Sequence, residues 1–186
     1  MRKRLVVVFL SVGLISVLTV AVSAGSGVAI AQRSQTVQIV GADTFVANAL
    51  FQSTFQFAPG QTVVLKTGDH VVWHNTTQAP HTVSVLTQNL LAKGVGDVIG
   101  CAVCGPILGA HGFGGPNVKP RIDPGTNGLN QATTSPGGPV GDSLFVAPGA
   151  TVDAAITAPG GTTLHYECAI HPWMQGSITV LNVPGL

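Results

Sequence analysis

The sequence predicts an all-β protein, most simply a sandwich of two sheets. After the first 31 residues, helical periodicity is nearly absent. Short runs rich in Val, Ile and Thr alternate between apolar and polar residues instead. Gly, Pro, Asp and Asn interrupt these runs as they do at turns. Several short strands separated by such turns are typical of an antiparallel sandwich or barrel.

The strands follow from that alternation, taken in chain order. Two turns with the sequence APG, Ala147–Gly149 and Ala158–Gly160, separate three of them. The segment Ala42–Ser53 has no clear period and is consistent with one short helix. The predicted strands are Thr36–Val40, two strands within Gln61–Asn75 joined by a turn at Thr67–Asp69, His81–Leu86, Ser143–Val146, Thr151–Ile156, Thr162–Cys168 and Gly176–Val183.

The first 31 residues have the features of a secretory signal peptide. Three basic residues open the chain, and no charge follows until Arg33. Ala29 and Ala31 form the small-residue pattern that precedes a cleavage site. The alternative is an uncleaved anchor, in which residues 5–31 tether the protein to a membrane, because this apolar stretch is long enough to span one.

A cleavage after Ala24 is a further option. In each case we expect the folded part to be extracytoplasmic: periplasmic, at the cell surface or secreted. Residues 32–186 are enough for one ordinary domain. Only 8% of residues are charged and the formal net charge is +1, so there is no basic patch for nucleic acid. We expect a monomer that docks its partners without strong electrostatic steering.

One region departs from the regular strand pattern. Residues from about 88 to 142 hold about half of the glycines and half of the prolines. A segment of this composition is expected to supply little of a core. We therefore predict a long loop or flap inserted between two strands, of the kind that is usually functional or disordered.

The chemistry of the chain is concentrated in HYECAIHPWMQG, which begins at His165. Cys168, His171 and Met174 follow one another at intervals of three. A thiolate, an imidazole and a thioether, joined by a second histidine, form the His₂Cys–Met site of blue copper proteins. His81 is the best candidate for that histidine, because it follows a proline and opens a predicted strand.

Two segments of the chain resemble those of a known family. GDHVVWHNTTQAPHTV and YECAIHPWMQGSITV are similar to the signature segments of the cupredoxins, and the Cys-x-x-His-x-x-Met spacing is most similar to the amicyanin-like members. The resemblance covers roughly Ala42–Leu86 and Ser143–Val183. It implies a Greek-key β-sandwich that binds one type 1 copper ion. The ligands it implies are His81, Cys168, His171 and Met174.

The same segments separate this site from other metal sites. A binuclear copper centre needs a second cysteine in the ligand loop, and Ala169 and Ile170 occupy the positions between Cys168 and His171. Zinc gains nothing from a methionine. Many relatives carry Asn directly after the first histidine, where this chain has Thr82. Thr82 and Asn75 are therefore alternative candidates for the residue that tethers the two ligand loops.

The resemblance also implies how the site works. Pro80 and Pro172 stiffen the loops beside two ligands. His171, surrounded by Ala169, Pro172 and Trp173, would be the outermost ligand, where electrons enter and leave and where redox partners dock.

The two remaining cysteines leave three alternatives open. Cys101 and Cys104 form a C-x-x-C pair within the insertion, and His111 lies seven residues further on. Outside the cytoplasm the pair favours a disulfide. Together with His111 it forms a second candidate site for copper or zinc. Free thiols are the third alternative.

Taken together, these features predict an electron carrier rather than an enzyme. The protein would shuttle single electrons between extracytoplasmic redox partners through Cu(I) and Cu(II). The alternative is copper handling, in which the protein stores or delivers copper through the insertion. A copper enzyme would need a second, open metal position. This chain has no His-x-His pair and room for only one domain, so we assign no catalytic residues.

Overall fold

The structure is a computed structural model that describes residues 32–47, 50–58, 62–125 and 127–183. These residues belong to one compact unit, Gln32–Leu186. The predicted signal peptide or anchor, residues 1–31, lies outside the described residues. Within the described part of the chain, no helix is long and apolar enough to cross a membrane.

The described residues form twelve strands, two α-helices and one 3-10 turn at Gln88–Leu90. The helices are α1 Val95–Ile99 and α2 Cys104–His111. The strands are β1 Ser34–Val40, β2 Asp43–Val46, β3 Leu50–Ser53, β4 Gln56–Ala58, β5 Thr62–Lys66, β6 His70–Asn75, β7 His81–Leu86, β8 Arg121–Ile122, β9 Ser143–Val146, β10 Thr151–Ala155, β11 Thr163–Glu167 and β12 Gln175–Leu181.

Two sheets pack face to face, which confirms the predicted all-β sandwich. One sheet has the strand order β10-β6-β1-β4 and the other β5-β12-β11-β7-β9-β8. Alternate residues of each strand point into the space between them, as the pleat requires. Trp73 of β6 meets Tyr166 of β11 edge to face, with ring centroids 6.0 Å apart, and both side chains are fully buried. This aromatic pair lies in the main core, and Tyr166 is two residues before Cys168.

The segment Gln61–Asn75 does form the two predicted strands, but they do not pair with each other. β5 pairs in parallel with β12, whereas β6 lies between β1 and β10 in the other sheet. The turn therefore crosses from one sheet to the other. Gly68 has a φ of 88° there, and buried Asp69 accepts hydrogen bonds from the backbone N–H groups of Arg33 and Lys66.

The short helix considered for Ala42–Ser53 was wrong, because β2 and β3 form an antiparallel pair at this position. Phe45 lies opposite Phe51 in that pair, and cross-strand aromatic residues favour a β-ribbon over a helix. Both rings are largely exposed, at 73% and 60%. Gly41 has a φ of 113°, and a Cβ at this position would lie 2.4 Å from the carbonyl oxygen of Thr54. Only glycine therefore fits the close approach of the chain at the base of the ribbon.

The insertion is more ordered than its composition predicted. It contains α1, α2 and β8, and Leu129 reaches the main core. Val103 and Ile107 of the α2 region form a second apolar cluster with Leu86 and Ala169. The expectation that this segment supplies little core was wrong, because a few apolar residues at helical spacing suffice to cover the outer face of β7. Every residue of β7 is consequently buried.

Candidate metal centre

Strand pairing brings the predicted ligands to one end of the sandwich. His81 is the first residue of β7, and Cys168 directly follows the last residue of β11. The two strands are antiparallel neighbours, so the start of one lies beside the end of the other. His171 and Met174 lie in the loop that joins β11 to β12. Residues 87 positions apart in the chain thus meet through the sheet.

Backbone hydrogen bonds hold the ligand loop in two consecutive turns. The N–H of His171 donates to the carbonyl of Cys168 at 3.1 Å, and the N–H of Met174 donates to the carbonyl of His171 at 2.8 Å. The N–H of Cys168 donates to the carbonyl of Met174 at 3.0 Å, which closes the loop. The spacing of three residues therefore places each candidate ligand one turn after the preceding one.

The donor atoms form a small, nearly isosceles triangle. The Sγ of Cys168 lies 3.8 Å from the Nδ1 atoms of both His81 and His171, and the two Nδ1 atoms are 3.1 Å apart. The point equidistant from these three atoms lies about 2.1 Å from each, and metal bonds to nitrogen and sulfur measure about 2.0 to 2.3 Å. The three side chains therefore fit a single metal ion.

Met174 completes the donor set from inside the protein. Its side chain is buried in the same core cluster as Cys168. A thioether is a soft and weak donor that suits the long axial position of a copper site. The four residues identified from the sequence are thus brought together at one place. Their donor chemistry matches a soft metal ion better than a hard one such as Ca²⁺ or Mg²⁺.

A hydrogen bond orients the ring of His81. Its Nε2 lies 3.0 Å from the Oγ1 of Thr77, and Thr77 also contacts the Oδ1 of Asn75. With the proton on Nε2, the lone pair of Nδ1 is free to face the metal. The side-chain amide of Asn75 donates to the carbonyls of Ala79 and Val146. Asn75 thus stabilises the loop that presents His81.

Thr82 tethers the two ligand loops to each other. Its N–H donates to the Sγ of Cys168 at 3.3 Å, and its Oγ1 accepts a hydrogen bond from the N–H of Ala169 at 2.7 Å. The sequence left this role open between Thr82 and Asn75. Thr82 connects the two ligand loops, whereas Asn75 joins the loop before His81 to the end of β9. A hydrogen bond to a ligating sulfur stabilises its charged form.

Burial controls the protonation of the three donors. It lowers the pKa of His81 to about 4, with a smaller contribution from the neighbouring His171. Burial also lowers the pKa of His171 and raises the pKa of the Cys168 thiol. Both imidazoles are therefore held neutral, as metal ligands must be. A buried thiolate needs a compensating positive charge, and a bound cation would supply it.

Access to the centre is from the side of His171. His81 and Cys168 are fully buried, whereas His171 is half-buried. Trp173 lies beside it with ring centroids 5.2 Å apart and is 41% exposed. Phe55 packs on both histidine rings, a contact that the sequence analysis did not foresee. Phe55 comes from the segment between β3 and β4, distant in sequence from the ligand loop, and no spacing pattern marks it.

Two residues expected around His171 occupy different places. Ala169 and Pro172 are buried, so the accessible surface beside His171 is formed by Trp173 rather than by them. Ala169 faces the insertion and packs in the second apolar cluster.

The remaining candidate residues, Cys101, Cys104 and His111, do not form a single site. Cys101 and Cys104 are joined in a disulfide with Cα atoms 5.4 Å apart. The side chain within ligand distance of this pair is Glu167, not His111. Sequence spacing could not have indicated Glu167, because it lies at the end of β11, 66 residues from Cys101 in the chain.

His111 is fully buried at the end of α2 and contacts Ser143 instead. Its Nε2 lies 2.8 Å from the Oγ of Ser143, which lies 2.7 Å from the Oγ of Ser84. Ser84 donates in turn to the Oγ1 of Thr82 at 3.0 Å. This hydrogen-bonded series connects the insertion to the residue that holds Cys168.

Replacing Thr82 with Val should destabilise the centre without removing a ligand. The N–H of Ala169 would lose its acceptor in a buried place, at a cost of about 1 to 3 kcal/mol. The N–H of Thr82 would still reach the sulfur. Urea denaturation measures the cost, and Thr76→Val is the matched control, because the Thr76 hydroxyl donates near the surface to Ile39. Equal losses in the two variants would contradict the tether.

Replacing His111 with Gln should change how stability depends on pH. Burial lowers the pKa of His111 from its ordinary value of 6.5, so below that pH the unfolded chain binds more protons than the folded one. This contribution is complete above about pH 6.5 and is lost as pH falls through the folded pKa. In His111→Gln, the free energy of unfolding should decline less steeply on acidification, by up to about 1.4 kcal/mol per pH unit.

Urea denaturation of the metal-free proteins at a series of pH values measures that slope. His81 and His171 contribute in the same direction, but they are present in both proteins and cancel in the comparison. Identical slopes for the two proteins would show that His111 does not titrate with folding.

Several solved structures align with the chain. Auracyanin from Roseiflexus castenholzii is 19% identical, with 81% of this chain and 98% of that chain covered and a TM-score of 0.44. A purple cupredoxin from Nitrosopumilus maritimus is 15% identical, with 78% and 98% covered and a TM-score of 0.41.

A blue copper oxidase from Nitrosomonas europaea also aligns, at 16% identity and a TM-score of 0.39, with 84% of this chain but only 41% of that chain covered. No family model matches the sequence, and no curated protein matches it. Because identity and structural overlap are both low, the chemistry of the centre is inferred from its own donor atoms.

Proposed function

We propose that the protein is a type 1 copper protein that carries single electrons. The observation that supports this most strongly is the triangle of His81, Cys168 and His171 donors around one point at bonding distance. Met174 supplies the fourth, weaker donor from the core. Two imidazoles, one thiolate and a methionine form the donor set of blue copper electron-transfer sites.

The surroundings of the donors favour electron transfer over catalysis. Copper bound here would cycle between Cu(I) and Cu(II). The residues of this chain keep the ligand positions unchanged: Thr77 fixes the ring of His81, Thr82 holds the sulfur, and Phe55 packs on both imidazoles. A donor set that does not rearrange lets an electron move at low cost. With Met174 as the fourth donor, a four-coordinate ion would have no position left for a substrate.

The surface suits docking near His171. His171 is the most accessible of the three triangle ligands, and exposed Trp173 lies against it. We infer that donor and acceptor proteins dock there as transient partners of a monomer outside the cytoplasm, with residues 5–31 either removed or serving as a tether. The low charge of the chain is consistent with apolar contacts at this surface.

Redox cycling tests the proposal. The copper-loaded protein should take up one electron per copper from a chemical reductant, lose its visible colour, and recover it on reoxidation through repeated cycles. Copper that leaves the protein on each reduction would contradict a carrier function.

Partner docking is tested by Trp173→Ala, which should slow electron exchange with a small redox protein and leave the visible spectrum nearly unchanged.

Copper handling is the second candidate, and one observation favours it. Cys101, Cys104 and Glu167 lie together close to the ligand loop and would offer a second set of donors once the disulfide is reduced. The redox-cycling experiment distinguishes the two functions. An electron carrier retains its copper through the cycles, whereas a copper-handling protein releases it to a chelator.

A further inference from the structure

A second group of potential donor atoms lies beside the start of the ligand loop. The sulfur atoms of Cys101 and Cys104 and one carboxylate oxygen of Glu167 all lie within 4.8 Å of one another. Glu167 comes from the end of β11, directly before Cys168, whereas the cysteines flank the start of α2. The β-sandwich and the insertion therefore both contribute to one cluster. This cluster is separate from the triangle of His81, Cys168 and His171.

The carboxylate of Glu167 is only partly satisfied while the disulfide is intact. The side chain is buried, and its Oε2 accepts hydrogen bonds from the N–H of Ala92 and the amide of Gln175. Its Oε1 faces the Sγ of Cys101 at 3.9 Å, which is its only partner among the described residues. A disulfide sulfur carries no proton to donate. This oxygen therefore faces the sulfur without a hydrogen-bond donor, and once the disulfide is reduced a cation bound by the two thiolates would lie within its reach.

The disulfide is open to small reagents from one side. Cys101 is half-buried and lines a surface cavity of about 230 Å³ together with Lys93 and Asp97. Cys104 is buried and is the first residue of α2. A small thiol can therefore attack the sulfur of Cys101, while Cys104 leaves as a thiolate at the positive end of the helix.

We propose that Cys101, Cys104 and Glu167 form a second, redox-gated metal site that binds Cu(I) when the disulfide is reduced. In the gating step, two equivalents of a small thiol are oxidised to their disulfide. The protein disulfide gains two electrons and two protons to become two thiols. Binding of the metal ion then releases the two thiol protons.

Two thiolates and one carboxylate suit this ion. Soft thiolate ligands select Cu(I), and the two cysteines supply the pair of sulfurs that a low-coordinate ion needs. Glu167 adds one carboxylate oxygen as a third ligand on the buried side. The site goes beyond electron transfer at the first centre, and it does not depend on that centre being correctly assigned.

The test compares Cu(I) stoichiometry before and after reduction of the disulfide. The full chain is reduced with a phosphine, which is then removed anaerobically, and alkylation with mass spectrometry verifies the two new thiols. Both forms are titrated with Cu(I) against a chromophoric chelator, in ascorbate, which keeps the copper reduced. The reduced protein should bind one equivalent more than the oxidised protein.

Three variants make the result specific. Cys101→Ser/Cys104→Ser should lose the additional equivalent and keep any copper bound at the first centre. Cys168→Ser should keep the additional equivalent, so failure of the first centre and failure of the second are distinguishable. Glu167→Gln should weaken the additional binding roughly tenfold, because groups around metal ions contribute on that scale. Equal stoichiometry of the reduced and oxidised proteins would overturn the proposal, as would an additional equivalent retained by the double variant.

Discussion

Cys168→Ser should abolish the intense visible absorption of the copper-loaded protein. That absorption is expected to arise from charge transfer between the thiolate and Cu(II), and Ser offers no soft, easily oxidised donor. His81 and His171 would remain at their present separation, so weak copper binding without colour is the expected outcome. Absorption spectra recorded during titration with Cu(II) measure the loss.

Met174→Leu is the matched control for this experiment. The substitution keeps the volume of a buried side chain and removes only the weak donor. The protein should keep its colour and change its redox potential, because the axial ligand tunes the potential. A Cys168→Ser protein that retains the intense band would contradict the assignment of the thiolate.

Trp73→Ala should cost about 3 to 5 kcal/mol of folding free energy. The indole is fully buried between the sheets and packs edge to face on Tyr166. Removal of a large core aromatic leaves a cavity that the sheets cannot close, and this produces losses of that size. A domain at the low end of ordinary stability, about 5 kcal/mol, would retain little of its folding free energy. Urea denaturation of the metal-free protein measures the loss.

Val72→Ala is the control for that prediction. Val72 is adjacent to Trp73 in the same strand but points to the other face and is only half-buried. Its truncation should cost about 1 kcal/mol or less. Similar losses for the two variants would show that the core between the sheets contributes less than its burial indicates.

The candidate site could be predicted from the sequence because its information is local. Three ligands recur at every third residue of one short loop, and the fourth follows a proline at the start of a strand. The donor chemistry of these side chains limits the choice of metal before any fold is known. Strand alternation was likewise enough for β7, β9 and β11, since each keeps an apolar face toward the core.

The remaining features depend on contacts that no local pattern records. Glu167 of β11 contacts Cys101 of the insertion, and Phe55 reaches the histidine rings from a distant segment. The insertion was misjudged because its glycines and prolines obscured Val103 and Ile107, whose spacing of four residues builds a helical face. The β2–β3 ribbon was missed because the strand prediction relied on alternation between apolar and polar residues. Such alternation marks a strand with one buried face, and all four residues of β2 are exposed.

The most direct test of the proposed copper centre is titration of residues 32–186, purified without metal, with Cu(II). We expect an intense thiolate-to-copper band that saturates at one equivalent and disappears reversibly on one-electron reduction. A protein that binds copper without developing this band, or that develops it only when Cys101 and Cys104 are reduced, would contradict a blue copper centre at His81, Cys168, His171 and Met174.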